Sequence, residues 1–197
     1  MRKTVLWRSL LEFDYIYLLE IDSEVVQYER CTFKLSYSFV GLDYILKPNF
    51  VVKRDQQQYL VHFLRTNRKD EISTQQLKFL TKICRQNGYI LQIISEDAVR
   101  LQPRLSNAKI IYKYATKSIE DPLLILLCYR LFENRKNLSL GEVVSFFTTN
   151  AATKRDVFRL IYHGILSIDI SQTFNEEAIV TFPNNFISRE EFLNTQK

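Results

Sequence analysis

The order of hydrophobic patterns along the first hundred residues is the feature that most restricts the fold. Apolar residues recur at helical spacing after Ser9, and runs with strand character then cover residues 25–30, 32–39, 42–52 and 59–64. Helical spacing returns over residues 73–86, and Asn87-Gly88 stops that helix. The apolar run 89–95 that follows predicts a central, buried strand. Strands, a helix and a buried strand in this order predict an α/β core.

A different pattern begins after residue 116, where we place a domain boundary. A helix predicted at 105–115 closes the first domain, and the second carries three helical segments followed by two short strand-like runs, at 123–132, 139–147, 154–162, 165–170 and 177–182. Three helices and a two-stranded wing predict a winged helix. The sequence therefore predicts two domains, 1–116 and 117–197.

Composition excludes several classes of protein. The chain has only four Gly and four Pro, too few for flexible or low-complexity tracts. No apolar run reaches the roughly 18 residues of a membrane span, and the first residues lack the apolar stretch of a signal peptide. The three cysteines, Cys31, Cys84 and Cys128, are odd in number and far apart, which is typical of buried thiols in a reducing compartment. These features predict a cytoplasmic protein that does not bind membranes.

Positive charge is concentrated in one window. The net charge is +5, and residues 47–85 carry nine Lys and Arg against three Asp and Glu. The rest of the first domain is balanced, whereas the second domain has a net charge of −1. A local basic excess is what phosphate binding requires, because neutralised phosphates release their counterions. A solvated basic face without a partner is the alternative interpretation.

A set of motifs covers most of the chain in order. They are Ser9-x-x-Glu12, Leu18-Leu19-Glu20-Ile21-Asp22, Phe33-Lys34-Leu35-Ser36-Tyr37, Lys47-Pro48-Asn49-Phe50-Val51-Val52, Tyr59-Leu60-Val61-His62-Phe63-Leu64, Pro103-Arg104-Leu105-Ser106-Asn107-Ala108-Lys109, Leu138-Ser139-Leu140-Gly141-Glu142 and His163-Gly164-Ile165-Leu166. This ordered set resembles the TnsA-type endonuclease subunit of heteromeric DNA transposases.

The resemblance implies a mixed sheet of restriction-endonuclease type, flanked by helices, and a small C-terminal winged-helix domain. It also implies DNA, at a transposon end or a target, as a partner, together with a TnsB-like transposase and a TnsC-like ATPase. A bacterial cytoplasm, at the nucleoid, is the implied location. Whether the chain forms a homo-oligomer stays open.

The family's active site transfers only in part. Its nucleases hold Mg²⁺ with carboxylates, and a lysine stabilises the developing charge. Glu12 matches the helix Glu, Asn49 stands where the Asp of the Pro-Asp motif belongs, His62 stands two residues before the lysine position, and Leu64 occupies the lysine position. The replacement of the family's Asp by Asn49 and of its lysine by Leu64 predicts a catalytically degenerate subunit that needs no cofactor. If the subunit is active after all, the resemblance implies Mg²⁺ as its cofactor.

Alternatives remain for the site and for the function. A capping box with Ser9 would by itself explain Glu12, and both roles can hold at once. A His on an apolar strand such as His62 is more often a hydrogen-bonded core residue than a ligand, whereas a remnant site of Glu12, Asn49 and His62 would bind a metal. The alternative functions are an active metal-dependent endonuclease that cuts transposon ends and a winged-helix transcriptional regulator.

Six basic residues are predicted to contact DNA. Arg65, Arg68 and Lys69 follow the strand that ends at the nuclease site, where the rim of such a fold faces the DNA backbone. Lys53 lies nearby in the sequence. Lys78 and Lys82 form one helical stripe with Arg85, for which a solvated face is the competing interpretation.

Overall fold

The computed structural model describes residues 6–64, 72–115, 119 and 122–183. Its contacts divide the chain into two compact units, Met1–Leu101 and Gln102–Lys197. Both units are mixtures of helices and strands.

The first unit is a mixed α/β structure that contains the helices and strands the sequence predicts, except that the predicted run 42–52 forms two strands and a short helix at 96–99 was not predicted. In chain order its described elements are α1 (Leu10–Glu20), β1 (Val25–Arg30), β2 (Leu35–Phe39), β3 (Leu42–Leu46), β4 (Phe50–Arg54), β5 (Gln57–Leu64), α2 (Thr74–Gln86), β6 (Tyr89–Ser95) and α3 (Glu96–Val99). The Oγ atoms of Ser9 and Ser73 accept hydrogen bonds from the first turns of α1 and α2, and Asn87 caps the end of α2. Local capping signals therefore set the ends of both helices.

Four strands form one mixed sheet in the order β1-β4-β5-β6. The pairs β1–β4 and β4–β5 are antiparallel, and β6 runs parallel to β5. The prediction that residues 89–95 form a central strand is wrong within the described sheet, because β6 lies at its edge and most of its side chains are half-buried. Its apolar character instead matches its contacts with α2 and α3.

The two faces of the sheet are covered by different helices. On one face, which we call the α1 face, the Tyr15 ring packs against Phe50 and Phe63, with ring centroids 5.7 and 5.1 Å apart. On the other, the α2 face, Leu60 packs with Cys84 of α2. Side chains of a strand alternate between faces, so neighbouring residues of β5 belong to different environments.

The strands β2 and β3 pair as a separate hairpin that packs on α2. Tyr37 stacks on Tyr44 across the hairpin with 5.3 Å between ring centroids, and its hydroxyl accepts a hydrogen bond from Gln76 Nε2 at 2.8 Å. The turn uses Val40 and Gly41, both at positive φ. The hairpin therefore packs on α2 in addition to the main sheet.

The second unit begins earlier than the predicted boundary near residue 116. Its described elements are α4 (Arg104–Tyr112), α5 (Pro122–Phe132), β7 (Asn137–Ser139), α6 (Leu140–Thr149), α7 (Lys154–Tyr162), β8 (Ser167–Ile168) and β9 (Ile179–Thr181). α4, which the sequence analysis assigned to the first domain, packs against α7. Asn107 Nδ2 donates to the carbonyls of Ile170 and Gln172 at 2.9 and 2.6 Å, which fixes α4 in this unit.

The strands of the second unit form a small antiparallel sheet in the order β7-β9-β8. The alternating pattern predicts β8 and β9 but not β7, which is only three residues long. Ser139 and Glu142 form a complete capping box at the start of α6. Phe147 of α6, Leu160 of α7 and Val180 of β9 are fully buried, so α6, α7 and the sheet all contribute to the core of this unit.

Candidate functional site

Glu12 lies in the first turn of α1 and is almost completely buried. Its backbone N–H donates to Ser9 Oγ at 3.2 Å, which is the first half of the predicted capping box. The second half differs from the prediction, because Glu12 Oε2 accepts from the backbone N–H of Arg8, at 2.7 Å, rather than from that of Ser9. The other carboxylate oxygen, Oε1, is left to face the sheet.

Asn49 connects this carboxylate to the sheet. Its Nδ2 donates to Glu12 Oε1 at 2.9 Å, and its Oδ1 accepts from the backbone N–H of Phe63 at 2.9 Å. Its own backbone is fixed as well, since its N–H donates to the Val61 carbonyl at 2.7 Å. The side chain therefore links α1, the start of β4 and the end of β5.

The orientation of the Asn49 amide follows from its partners. The Phe63 N–H can only donate, so Asn49 must present its oxygen to it and its nitrogen to Glu12. The amide oxygen and the Glu12 carboxylate are then both occupied by N–H donors and do not converge on a common point. The pair does not fit a Mg²⁺ ion, which requires several oxygen atoms around one position.

The structure does not bring His62 and Leu64 to this pair. The side chains of Val61 and Phe63 lie on the α1 face with Glu12, so those of His62 and Leu64 lie on the α2 face. His62 Nδ1 lies 3.1 Å from the Lys47 carbonyl, to which it donates. The β5 positions nearest to the Glu12–Asn49 pair are therefore apolar, and neither offers a ligand or a cation.

One polar residue on the α1 face was missed by the sequence analysis. Gln92 pairs with Val61 across β5 and β6, and its enclosed Oε1 accepts no hydrogen bond from the described residues. The only signal in the sequence is its position as a lone amide in the apolar run YILQIIS. The amides of Asn49 and Gln92 thus lie on the same face as the Glu12 carboxylate, and among the described residues no three His, Cys, Asp or Glu side chains are grouped as metal ligands.

Burial lowers the pKa of His62 below its ordinary value of 6.5, and the hydrogen bond to the Lys47 carbonyl offsets this only in part. The unfolded chain therefore takes up a proton at a higher pH than the folded protein does. Stability should decrease as the pH falls below about 6.5, by at most about 1.4 kcal/mol per pH unit for one proton.

The His62→Gln variant, whose amide can still donate to the Lys47 carbonyl, should lose this part of the pH dependence. Urea unfolding from pH 8 to pH 5 measures it, followed by the fluorescence of the single tryptophan, Trp7, which packs on Phe13 of α1 with centroids 5.0 Å apart. Identical pH slopes for the variant and the native protein would contradict the assignment.

The basic residues predicted to bind DNA have different positions. Arg65, Arg68 and Lys69 lie outside the described residues. Lys53 is half-buried on β4, and by alternation its side chain lies on the α2 face. Lys78 and Lys82 are exposed on α2.

Arg54, which belongs to the same basic window, has a structural role. Its Nη2 forms an ion pair with Asp22 Oδ2 at 3.1 Å, and its guanidinium lies 5.2 Å from the centre of the Tyr59 ring. The positive charge of Arg54 is therefore paired with the negative charge of Asp22 inside the first unit.

The three cysteines are buried and unpaired. Burial raises the pKa of Cys31 and Cys84, and it raises that of Cys128 to about 12. The thiols are therefore protonated at neutral pH and contribute to the hydrophobic interior.

Comparison of the chain with models of known protein families and with curated proteins finds no match. Within the described residues, no helix combines the length and the apolar character needed to cross a membrane. The function is therefore inferred from the geometry of the chain itself.

Proposed function

We propose that the protein is a catalytically degenerate TnsA-like subunit that binds DNA and transposition partners without cutting DNA. The observation that carries this proposal is the contact between Glu12 and Asn49, two residues 37 positions apart in the chain. They occupy the family positions of the helix Glu and of the Asp that follows proline. Their meeting where α1 crosses the start of β4 is what an inherited nuclease site requires.

The first unit supports a restriction-endonuclease-like fold. A helix is followed by three antiparallel strands, a second helix and a parallel fourth strand, and the two helices lie on opposite faces of the sheet. The inserted β2–β3 hairpin does not interrupt this order. In such a fold the ends of the two central strands carry the metal ligands, and here Asn49 and Phe63 lie at these ends.

The second unit supports a winged helix. From α5 onwards its order is helix, strand, helix, helix, strand and strand, with β9 pairing between β7 and β8. The third helix, α7, would be the recognition helix. Arg159 on this helix pairs with Asp156 at 2.9 Å, which reduces the positive charge available to DNA. This domain therefore suits partner proteins, such as TnsB-like and TnsC-like subunits, at least as well as it suits DNA.

Loss of cutting follows from the donor set. Cleavage of this type needs a metal held by several oxygen ligands and a cation beside the scissile phosphate. Each oxygen of the Glu12 carboxylate accepts one N–H donor, and the β5 residues on the same face of the sheet, Val61 and Phe63, are apolar. The arrangement fastens the helix to the sheet but supplies neither the second carboxylate nor the lysine.

The expected result is binding without cleavage. Purified protein should leave supercoiled plasmid and transposon-end duplexes intact with Mg²⁺ or Mn²⁺, whereas a gel-shift assay with the same DNA should detect complexes. The Glu12→Gln variant should behave like the native protein in both assays. Robust nicking that is abolished by Glu12→Gln would overturn the proposal, and so would the absence of any DNA complex at low salt.

A further inference from the structure

The outward side of α2 forms an open groove on the surface of the first unit. The groove has a volume of about 740 Å³, and its described lining comes entirely from α2, namely Thr74, Leu77, Lys78, Thr81, Lys82, Arg85 and Gln86. These residues follow helical spacing, so they form one continuous stripe along the helix. The opposite side of α2 carries Leu80 and Cys84, which are fully enclosed against the sheet.

The charge of this stripe has a single sign. Lys78, Lys82 and Arg85 are exposed, and α2 contains no Asp or Glu. None of the three forms an ion pair within the described part of the chain. An ordinary solvated helix face alternates the two signs of charge, which gives i,i+4 pairs. Three unpaired cations on one stripe instead match a polyanion.

The spacing of the three cations suits a nucleic-acid backbone. From Lys78 to Arg85 the helix rises by about 10 Å, at 1.5 Å per residue. Duplex DNA carries about one negative charge per 1.7 Å of its axis, so a helix lying along it faces several phosphates over that length. The long side chains of Lys and Arg can adapt to phosphates whose positions are not fixed by sequence.

We infer that this stripe of α2, with Lys78, Lys82 and Arg85 as phosphate contacts, is a sequence-independent binding surface for the backbone of a nucleic acid. The surface lies on the opposite face of the sheet from Glu12 and Asn49, because α2 and α1 cover different faces. It is thus separate from the position where a nuclease of this fold would hold the scissile phosphate. The inference rests on the proposed function for the identity of the partner as DNA.

The test compares two triple variants of the full chain that lose the same charge. Lys78, Lys82 and Arg85 are replaced by glutamine in the first, and the exposed Lys34, Lys113 and Lys136 in the control. Fluorescence anisotropy measures binding to a 30-base-pair duplex of arbitrary sequence across a NaCl series. The first variant should bind at least about tenfold more weakly, and its slope of log K against log salt should be smaller by about 3, since each phosphate contact contributes about 0.9.

The control variant should keep both the affinity and most of the slope, and circular dichroism checks that both variants are folded. Equal binding by the native protein and the α2 variant would overturn the inference while leaving the proposed function intact. If the native protein forms no complex with any duplex, the DNA-binding part of the proposed function fails as well. Binding only to vesicles of phosphatidylserine and phosphatidylcholine, and not to duplex, would assign the stripe to an anionic membrane and also overturn the inference.

Discussion

Replacing Asn49 with aspartate is expected to lower the free energy of unfolding of the first unit by about 2–4 kcal/mol at pH 8, as a charge-assisted hydrogen bond becomes a contact between two carboxylates. The side chains have nearly the same shape, so no cavity forms. The oxygen that accepts from the Phe63 N–H can stay in place, whereas the Asn49 Nδ2 that donates to Glu12 Oε1 at 2.9 Å is lost. Urea unfolding followed by Trp7 fluorescence measures the change.

The pH dependence of this loss has a definite sign. Repulsion from Glu12 raises the pKa of the introduced carboxyl in the folded protein above its ordinary value of about 4. Folding then favours the protonated form, so the loss is full above the raised pKa and shrinks as the pH falls towards about 4. Millimolar Mg²⁺ should recover part of the loss at pH 8, because two adjacent carboxylates are suitable hard ligands.

The Asn49→Ala variant is the matched control. It removes both hydrogen bonds of the Asn49 side chain, including the one to Glu12 that Asn49→Asp loses, without adding a charge. Its loss relative to the native protein should therefore change little between pH 8 and pH 5, and Mg²⁺ should have no effect. If Asn49→Asp were as stable as the native protein at pH 8, or if both variants had the same pH profile, the contact between Glu12 and Asn49 would not have the importance assigned to it here.

Replacing Phe50 with alanine is expected to cost about 3–5 kcal/mol, the range found when a large aromatic side chain is removed from a core. Phe50 is 0% exposed and its ring lies against those of Tyr15, Tyr28 and Phe63, with centroids 5.7, 6.5 and 6.0 Å away. It also directly follows Asn49, so a cavity here would loosen the strand end that positions the amide. Urea unfolding of the variant is again followed through Trp7.

Phe79 provides the comparison for Phe50. It lies on α2, contacts Tyr37 and Phe39 of the hairpin, and is 37% exposed. Because much of its surface already faces water, Phe79→Ala should cost less than half as much as Phe50→Ala. Equal losses for the two variants would show that the α1 face is not the main core of the first unit.

Local patterns predicted most of the secondary structure. The period of two predicted the strands before and after Pro48, and the period of 3.6 predicted α1 and α2. Gly88, at positive φ, stands where the end of α2 was expected. These signals depend on residues within one or two turns of each other, so the sequence contains them directly. The α/β character of the first unit follows from their order.

Features of the fold that depend on contacts between residues far apart in the chain were harder to predict from the sequence. Whether a residue of β5 faces α1 or α2 depends on a register of one residue. The resemblance implies site positions at His62 and Leu64, whereas Val61 and Phe63 are the β5 residues whose side chains lie on the face that α1 covers. The edge position of β6 depends on pairing, which its apolar sequence does not reveal. α4 belongs to the second unit because of hydrogen bonds from Asn107 to carbonyls more than sixty residues away.

The link through Asn49 also has a consequence for the folding kinetics. It joins the first turn of α1 to the β4–β5 hairpin, across 37 residues of chain, so we expect it to form only once the hairpin has docked on the helix. Contacts that form late in folding slow the unfolding rate more than they speed refolding. We therefore expect the Asn49 amide to contribute chiefly to the lifetime of the folded unit, a role that a carboxylate beside Glu12 could fill only with a bound cation or proton.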